Sequence, residues 1–257
     1  MEPEDSVSSW DAVAAAYASY WSPRFLPYLE QVLADYDPPP GDLAVPGAGP
    51  GDEAVLLAER FPERTVWALE PAANMLDLLT ARGLPNNLEV RSARAVEVSQ
   101  HVREAGGVVS SFVLQLLPDR AAALADWRSA SVTGAEARVV FWPRQTEGAW
   151  FRLGEAIQAA TGVPRPDWER PLTARLPELG WTLERSTDLV HAIAHADVDE
   201  AWWSLVDGCS LQMLLQRAGP QALARCEAAW KADSGLETTP LGVVHRPTAR
   251  LWVLRAS

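Results

Sequence analysis

Lysine, cysteine and long apolar runs are nearly missing from this sequence, and each shortage excludes a class of function. The single lysine, Lys231, follows no glycine-rich turn, which rules out a phosphate loop ending in Gly-Lys. A formal net charge of −12 with no basic stripe speaks against nucleic acid as a partner. The two cysteines, Cys209 and Cys226, are too few for a disulfide framework and lack metal-ligand spacing. They read as small buried side chains, and no metal site is expected. Nothing approaches the run of about 18 apolar residues that a membrane helix needs. The chain opens with Glu2, Glu4 and Asp5 rather than a basic region, so no signal peptide is expected and a cytoplasmic location is the default. What remains is 257 residues of 48% apolar composition, suited to a single domain with room for a cap.

The most informative stretch is 42–70. An apolar run, Leu43-Ala44-Val45, breaks into Gly47, Gly49 and Gly51, then a helical pattern over 52–60, then a second apolar run closed by Glu70. Glycines at such a turn let the backbone bend sharply and let a ligand lie against bare main chain. A carboxylate ending the next strand is placed to accept hydrogen bonds from a ribose diol. A dinucleotide fingerprint would put its third glycine at position 52, where this chain has Asp52. Asp52 and Glu53 suit the first turn of a helix but would repel a pyrophosphate seated there. The ligand therefore carries adenosine without phosphate, and S-adenosylmethionine fits that description.

Residues 42–76 resemble motifs I and II of class I S-adenosylmethionine-dependent methyltransferases. The flanking segments resemble the small-molecule branch that includes ubiquinone and menaquinone methyltransferases. Trp10 to Tyr17 is similar to its lead-in helix, Glu70 to Leu76 to its acidic-x-S-x-x-M-L stretch with Ala72 in the serine position, Val113 to Asp119 to its fourth-strand end, and Thr248 to Leu254 to its final strand. The resemblance implies a small-molecule acceptor and a tyrosine, here Tyr17, near the cofactor. It also implies an acid two residues before the first glycine, where this chain has Val45, and a polar residue after the third strand, where it has Ser92-Ala93-Arg94. The cofactor set is then Tyr17, Gly47, Gly49, Gly51, Glu70, Met75, Ala93, Arg94 and Phe112. Met75 is either an adenine contact or a core residue.

Helices are predicted at about 10–21 and 24–36, the second starting at Pro23, with Pro38-Pro39-Pro40-Gly41 ending the segment. Residues 1–37 form either a lid over the cofactor or an amphipathic pair packed on the body. Within the cofactor-binding core, 41–145, a helix over 72–82, a strand at 88–90, a buried strand at 108–114, a helix over 120–130 and a strand at 137–142 follow. Helices over 148–161 and 171–178, a strand over 181–193, a helical insertion at about 197–232 and a last strand at 249–255 complete the pattern. Residues 233–247 show no clear period. Strands alternating with helices at this spacing predict a doubly wound, mostly parallel α/β sheet. Taken with the resemblance, that is the seven-stranded Rossmann-like methyltransferase fold, with N-terminal helices and a helical insertion before the last strand. The insertion, 197–235, is either a cover for an organic substrate or a packing satellite. Trp202 and Trp203 diverge on its helix, so one is expected to pack inward and the other to line a cavity.

Methyl transfer from a sulfonium needs alignment and exclusion of water more than a fixed triad. A base is required only for an acceptor that arrives protonated. His191 and His195 flank the end of the sixth strand, and His191 is the candidate base. Gln115, beyond the fourth strand, is the candidate donor to a substrate oxygen. Each has an ordinary structural alternative. Two functions stay open: methyl transfer to a small organic acceptor, or binding of the cofactor or a hydrophobic ligand without transfer, as in a repurposed cyclase or a non-catalytic partner.

Overall fold

In the computed structural model, which describes residues 3–144, 147–164, 167–208 and 211–257, the glycine-bearing unit lies at the centre of a sheet. Its strands are β1 (Asp42–Pro46), β2 (Val66–Leu69), β3 (Leu88–Arg91), β4 (Ala105–Ser111), β5 (Ser131–Phe141) and β6 (Trp181–Val190). After β7 (Ile193–His195), β8 (Glu237–Thr239) and β9 (Gly242–His245) comes β10 (Thr248–Ala256), which rejoins the main sheet. The seven-stranded order is β3-β2-β1-β4-β5-β10-β6, with β10 antiparallel to both neighbours and the other neighbours parallel. The order reverses at β1, between β2 and β4, where sheets of this kind open a crevice beyond the strand ends.

The central strands β1, β4 and the second half of β5 are buried on both faces, as a parallel sheet requires, whereas the edge strand β6 is largely exposed. Leu43 and Val45 of β1 join one core with Leu57, Val66 and Val140, while Ala44 joins the other with Val108, Trp127, Trp181 and Trp252. Two N-terminal helices, α1 (Pro3–Ala16) and α2 (Ser22–Leu33), are joined by a π-helical turn, Tyr17–Trp21. Pro23 falls in the first turn of α2, where its missing N–H is tolerated, so the chain continues helically where a break was expected; Pro27 lies inside the same helix. Beyond them lie α3 (Asp52–Arg60), α4 (Ala73–Thr80), α5 (Val98–His101), α6 (Arg120–Ala130), α7 (Ala149–Thr161) and α8 (Glu169–Arg175).

The fourth strand begins at Ala105, three residues before the expected start, and ends at Ser111. Its early part carries Gly106 and Gly107, which weaken an apolar pattern but are needed for close approach. A Cβ at Gly106 would lie 2.0 Å from the Pro39 carbonyl oxygen, and one at Gly107 1.9 Å from the Tyr36 hydroxyl. Residues 233–247, unassigned from sequence, form the hairpin β8–β9, and β7 pairs on its other side to give a second sheet. Strands this short show too few residues for a period to register.

The insertion before the last strand is α9 (Val198–Gly208) and α10 (Leu211–Ala232), the latter kinked at Gly219 before Pro220. Trp202 is fully buried against Trp230, ring centroids 5.7 Å apart, whereas Trp203 is 49% exposed. The Trp21 indole N–H donates to the Ser204 carbonyl at 2.9 Å, so the insertion holds the π turn from outside. Of the cysteines, Cys226 is buried as expected, and Cys209 lies outside the described residues.

Candidate functional site

The loop after β1 runs through three glycines in the left-handed region, Gly47 (φ 73), Gly49 (φ 55) and Gly51 (φ 91). They do different work. A Cβ at Gly47 would meet Val113 at 2.5 Å, and one at Gly51 would meet buried Leu79 of α4 at 2.0 Å. Nothing lies within 4 Å of a Cβ at Gly49, because that position faces open space. The amides of Gly47 and Ala48 donate to the Leu69 carbonyl at 2.7 and 3.0 Å, which pins the loop to the end of β2.

Glu70 follows immediately. Its two carboxylate oxygens accept from the Gly49 amide and the Ala72 amide, each at 2.9 Å. The group is 7% exposed, and burial raises its pKa despite those two donors. Two hydrogen bonds leave roughly half of a carboxylate's accepting capacity free. Glu70 therefore sets the loop and still offers oxygen to a ligand.

These groups border a cavity of about 240 Å³. Met75 and Pro71 form one wall, Arg94, Ala95 and Val96 a second, and Ser111, Phe112 and Val113 a third. Phe112 is held at φ 62 and stacks on Trp142, centroids 4.5 Å apart. The roof is N-terminal: Trp10, Tyr17, Ser22, Phe25 and Leu29 line it, and α1 is tied to α4 where the Asn74 amide donates to Asp11 at 2.8 Å. The Ser22 hydroxyl, buried in this roof, has no hydrogen-bond partner among the described residues. The floor of the crevice holds Glu53, 7% exposed, whose Oε1 accepts from the Ser111 hydroxyl at 2.5 Å. Burial pushes its pKa up to about 7.

Of the residues expected from sequence, Tyr17, Gly47, Gly49, Glu70, Met75, Arg94 and Phe112 meet around this one cavity. Gly51 is one layer behind it, needed for helix packing, and Ala93 packs into the core beneath the sheet while Arg94 to Val96 take the wall. His191 is elsewhere. It follows β6, the far edge of the sheet, with its ring 4.6 Å from that of Tyr28 and its Nε2 2.9 Å from the Gln31 side chain. Gln115 sits in a 3-10 turn, and its side-chain oxygen accepts from the Trp142 amide at 2.7 Å, a structural tie between that turn and the end of β5. His195 is buried with Nδ1 2.6 Å from the Tyr20 hydroxyl, also off the cavity. The insertion supplies no lining residue among those described; it packs one layer further out. Val45 is fully buried in the sheet. Glu53 was missed because its first-turn position reads as a helix-dipole residue. The signal for it was there, since side chains in a first turn lean back toward the preceding loop.

No family model matches the chain, and no curated protein does either. Solved structures do. Magnesium protoporphyrin IX methyltransferase from Synechocystis, determined with bound S-adenosylhomocysteine, is 12% identical, with 90% of this chain and 80% of that one covered and a TM-score of 0.51. Geranyl diphosphate methyltransferase, in complex with its diphosphate and sinefungin, is 14% identical over 89% and 76%, TM-score 0.53. The cyclase SpnF is 12% identical over 89% and 79%, TM-score 0.56. The chain has the Rossmann-like fold of class I S-adenosylmethionine-dependent methyltransferases. Among the described residues no helix is long and apolar enough to cross a membrane, and no cluster of three histidine, cysteine or acidic side chains is placed to hold a metal.

Proposed function

We propose that this protein binds S-adenosylmethionine and transfers its methyl group to a small, largely apolar organic acceptor. The observation that carries the reading is the junction of Glu70 with the Gly49 amide at a cavity beside β1. It leaves a carboxylate with free accepting capacity next to bare backbone, as a ribose diol lying on the loop requires. Around it the donor set fits: Met75 and Phe112 offer apolar faces, Ser22 an unpaired hydroxyl, and Gly49 open space. When bound, the cofactor would supply a methyl carbon already activated by its sulfonium. The chain's task is then to align an acceptor and keep water out. Trp10, Phe25, Leu29, Leu116 and Leu117 give the rest of the cavity an apolar lining that favours a greasy acceptor. No histidine borders it among the described residues, which suits an acceptor that arrives ionised or as a neutral amine. The test is calorimetric titration with S-adenosylhomocysteine, then incubation with methyl-labelled cofactor and a panel of phenols, amines and carbon acids. Label in a product supports the reading.

A second reading is favoured by the fold's occurrence beyond methyltransferases: a cavity that holds the cofactor or an apolar ligand without transferring methyl. The fold is shared by a cyclase as well as by methyltransferases. Tight S-adenosylhomocysteine binding with no labelled product from any acceptor would select it.

A further inference from the structure

Three acids line the cavity, and two have evident partners. Asp52 pairs with Arg82 at 2.5 Å, and Glu70 holds two backbone amides. Glu53 is different. It is 7% exposed, is hydrogen-bonded by the Ser111 hydroxyl and backbone, and forms no ion pair among the described residues. Burial of a carboxyl without a counter-charge weakens a fold, and its pKa of about 7 records that cost. A glutamine would accept from the same hydroxyl without the charge. A buried acid facing a cavity in this condition gains when a ligand brings a cation to it.

We propose that Glu53 is the counter-charge for a ligand ammonium group, the amino group at the amino-acid end of S-adenosylmethionine; this rests on the cofactor reading above. The topology supports the assignment. Glu70 follows β2 and Ser111 ends β4, on opposite sides of β1, so the two acids face the cavity across the glycine loop. An elongated ligand whose diol is held at Glu70 carries its other end over Gly47–Gly49 toward Glu53. An ammonium donates three hydrogen bonds and uses the accepting capacity that Ser111 leaves on Glu53. A sulfonium brings charge but donates no hydrogen bond, so it would leave that accepting capacity unused.

The test compares S-adenosylhomocysteine with 5′-methylthioadenosine, which keeps the adenosine but has no amino-acid end, by calorimetry on the unmodified protein and on Glu53→Gln. The variant should lose about tenfold or more of its affinity for the first, the range for a hydrogen bond to a charged group, and stay within about twofold for the second. A melting temperature at or above that of the unmodified protein at pH 7 confirms folding. Independently of any variant, the desamino analogue of S-adenosylhomocysteine should bind the unmodified protein no better than methylthioadenosine does. Equal losses for both ligands, no loss for either, or full affinity for the desamino analogue would overturn the role of Glu53 and leave the cofactor reading standing. If the unmodified protein binds neither adenosine ligand, the cofactor reading falls and this inference with it.

Discussion

Glu70 shows how one side chain can couple a loop to a ligand. Its carboxylate holds the amides of Gly49 and Ala72, so the glycine loop and the start of α4 are positioned by the group that faces the cavity. Glu70→Ala should weaken S-adenosylhomocysteine binding by about 1.5–3 kcal/mol, measured by calorimetric titration. Unchanged affinity in a folded variant would remove Glu70 from the site. The neighbouring glycines should separate by type of effect. Gly51→Ala forces a left-handed alanine at φ 91 and drives its methyl into Leu79. It should lower stability by about 1–3 kcal/mol from the backbone alone, and by a similar amount from overpacking. Gly49→Ala meets no protein atom, so only the backbone cost of about 1–2 kcal/mol applies to the fold. Its methyl would instead stand where a ligand has to lie. Melts and titrations on both variants check the contrast: Gly51→Ala should move chiefly the melting temperature, Gly49→Ala chiefly the affinity.

At the scale of elements, the roof of the cavity comes from the N-terminal helices and the π turn, and the insertion braces them. Trp10 packs edge-on against Tyr17, centroids 5.6 Å apart, and Tyr17 leads on to Phe25 at 6.2 Å. Trp21 faces the other way, with its N–H on the Ser204 carbonyl of α9. The extra residue of a π turn is one means of rotating successive aromatics onto different surfaces. Trp202 and Trp203 do diverge, but the outward one meets solvent and not the cavity. Trp202→Ala should therefore cost about 3–5 kcal/mol, the range for a fully buried tryptophan. Trp203→Ala should stay within about 0.5 kcal/mol and leave ligand binding alone. Thermal melts of both variants decide it; a large loss at Trp203 would mean that α9 is covered in solution.

Across the whole molecule, buried titratable groups in different parts of the fold pull stability in opposite directions with pH. His195 and His245 stack at 5.3 Å near the second sheet, and burial pushes their pKa values down to about 4 and about 3, from an ordinary 6.5. Arg24 lowers His195 further, and His195 lowers His245. Below pH 6.5 the unfolded chain takes up protons that the folded one refuses, so their contribution is full above 6.5 and is lost as pH falls. Glu53 has the reverse sign. Raised from 4.5 to about 7, it contributes stability below 4.5 that is lost as pH rises through 7. The stability advantage of the unmodified protein over His245→Phe should thus grow from pH 4 to about 6.5 and then level off. Glu53→Gln should gain on the unmodified protein from about pH 4.5 to beyond 7. Melting curves across that range test both signs, and a flat difference for either variant would show that its group does not titrate as placed.

The sequence by itself determined the unit from β1 to β2, its three left-handed glycines and Glu70. All of these are local: a strand period, a turn that only glycine adopts cheaply, and a helix start are written in consecutive residues. The alternating pattern also determined the parallel sheet, because strands buried on both faces leave continuous apolar runs. Only the tertiary structure decided which distant segments meet at the cavity. His191 looked close in the chain to a cover, yet β6 lies at the far sheet edge and takes it away. Gln115 was spent on the Trp142 amide, and the roof went to the N-terminal helices and not the insertion. Glu53 read as an ordinary first-turn acid until Ser111, 58 residues later, closed over it. Such choices rest on packing between segments far apart in sequence, and no local periodicity carries that information.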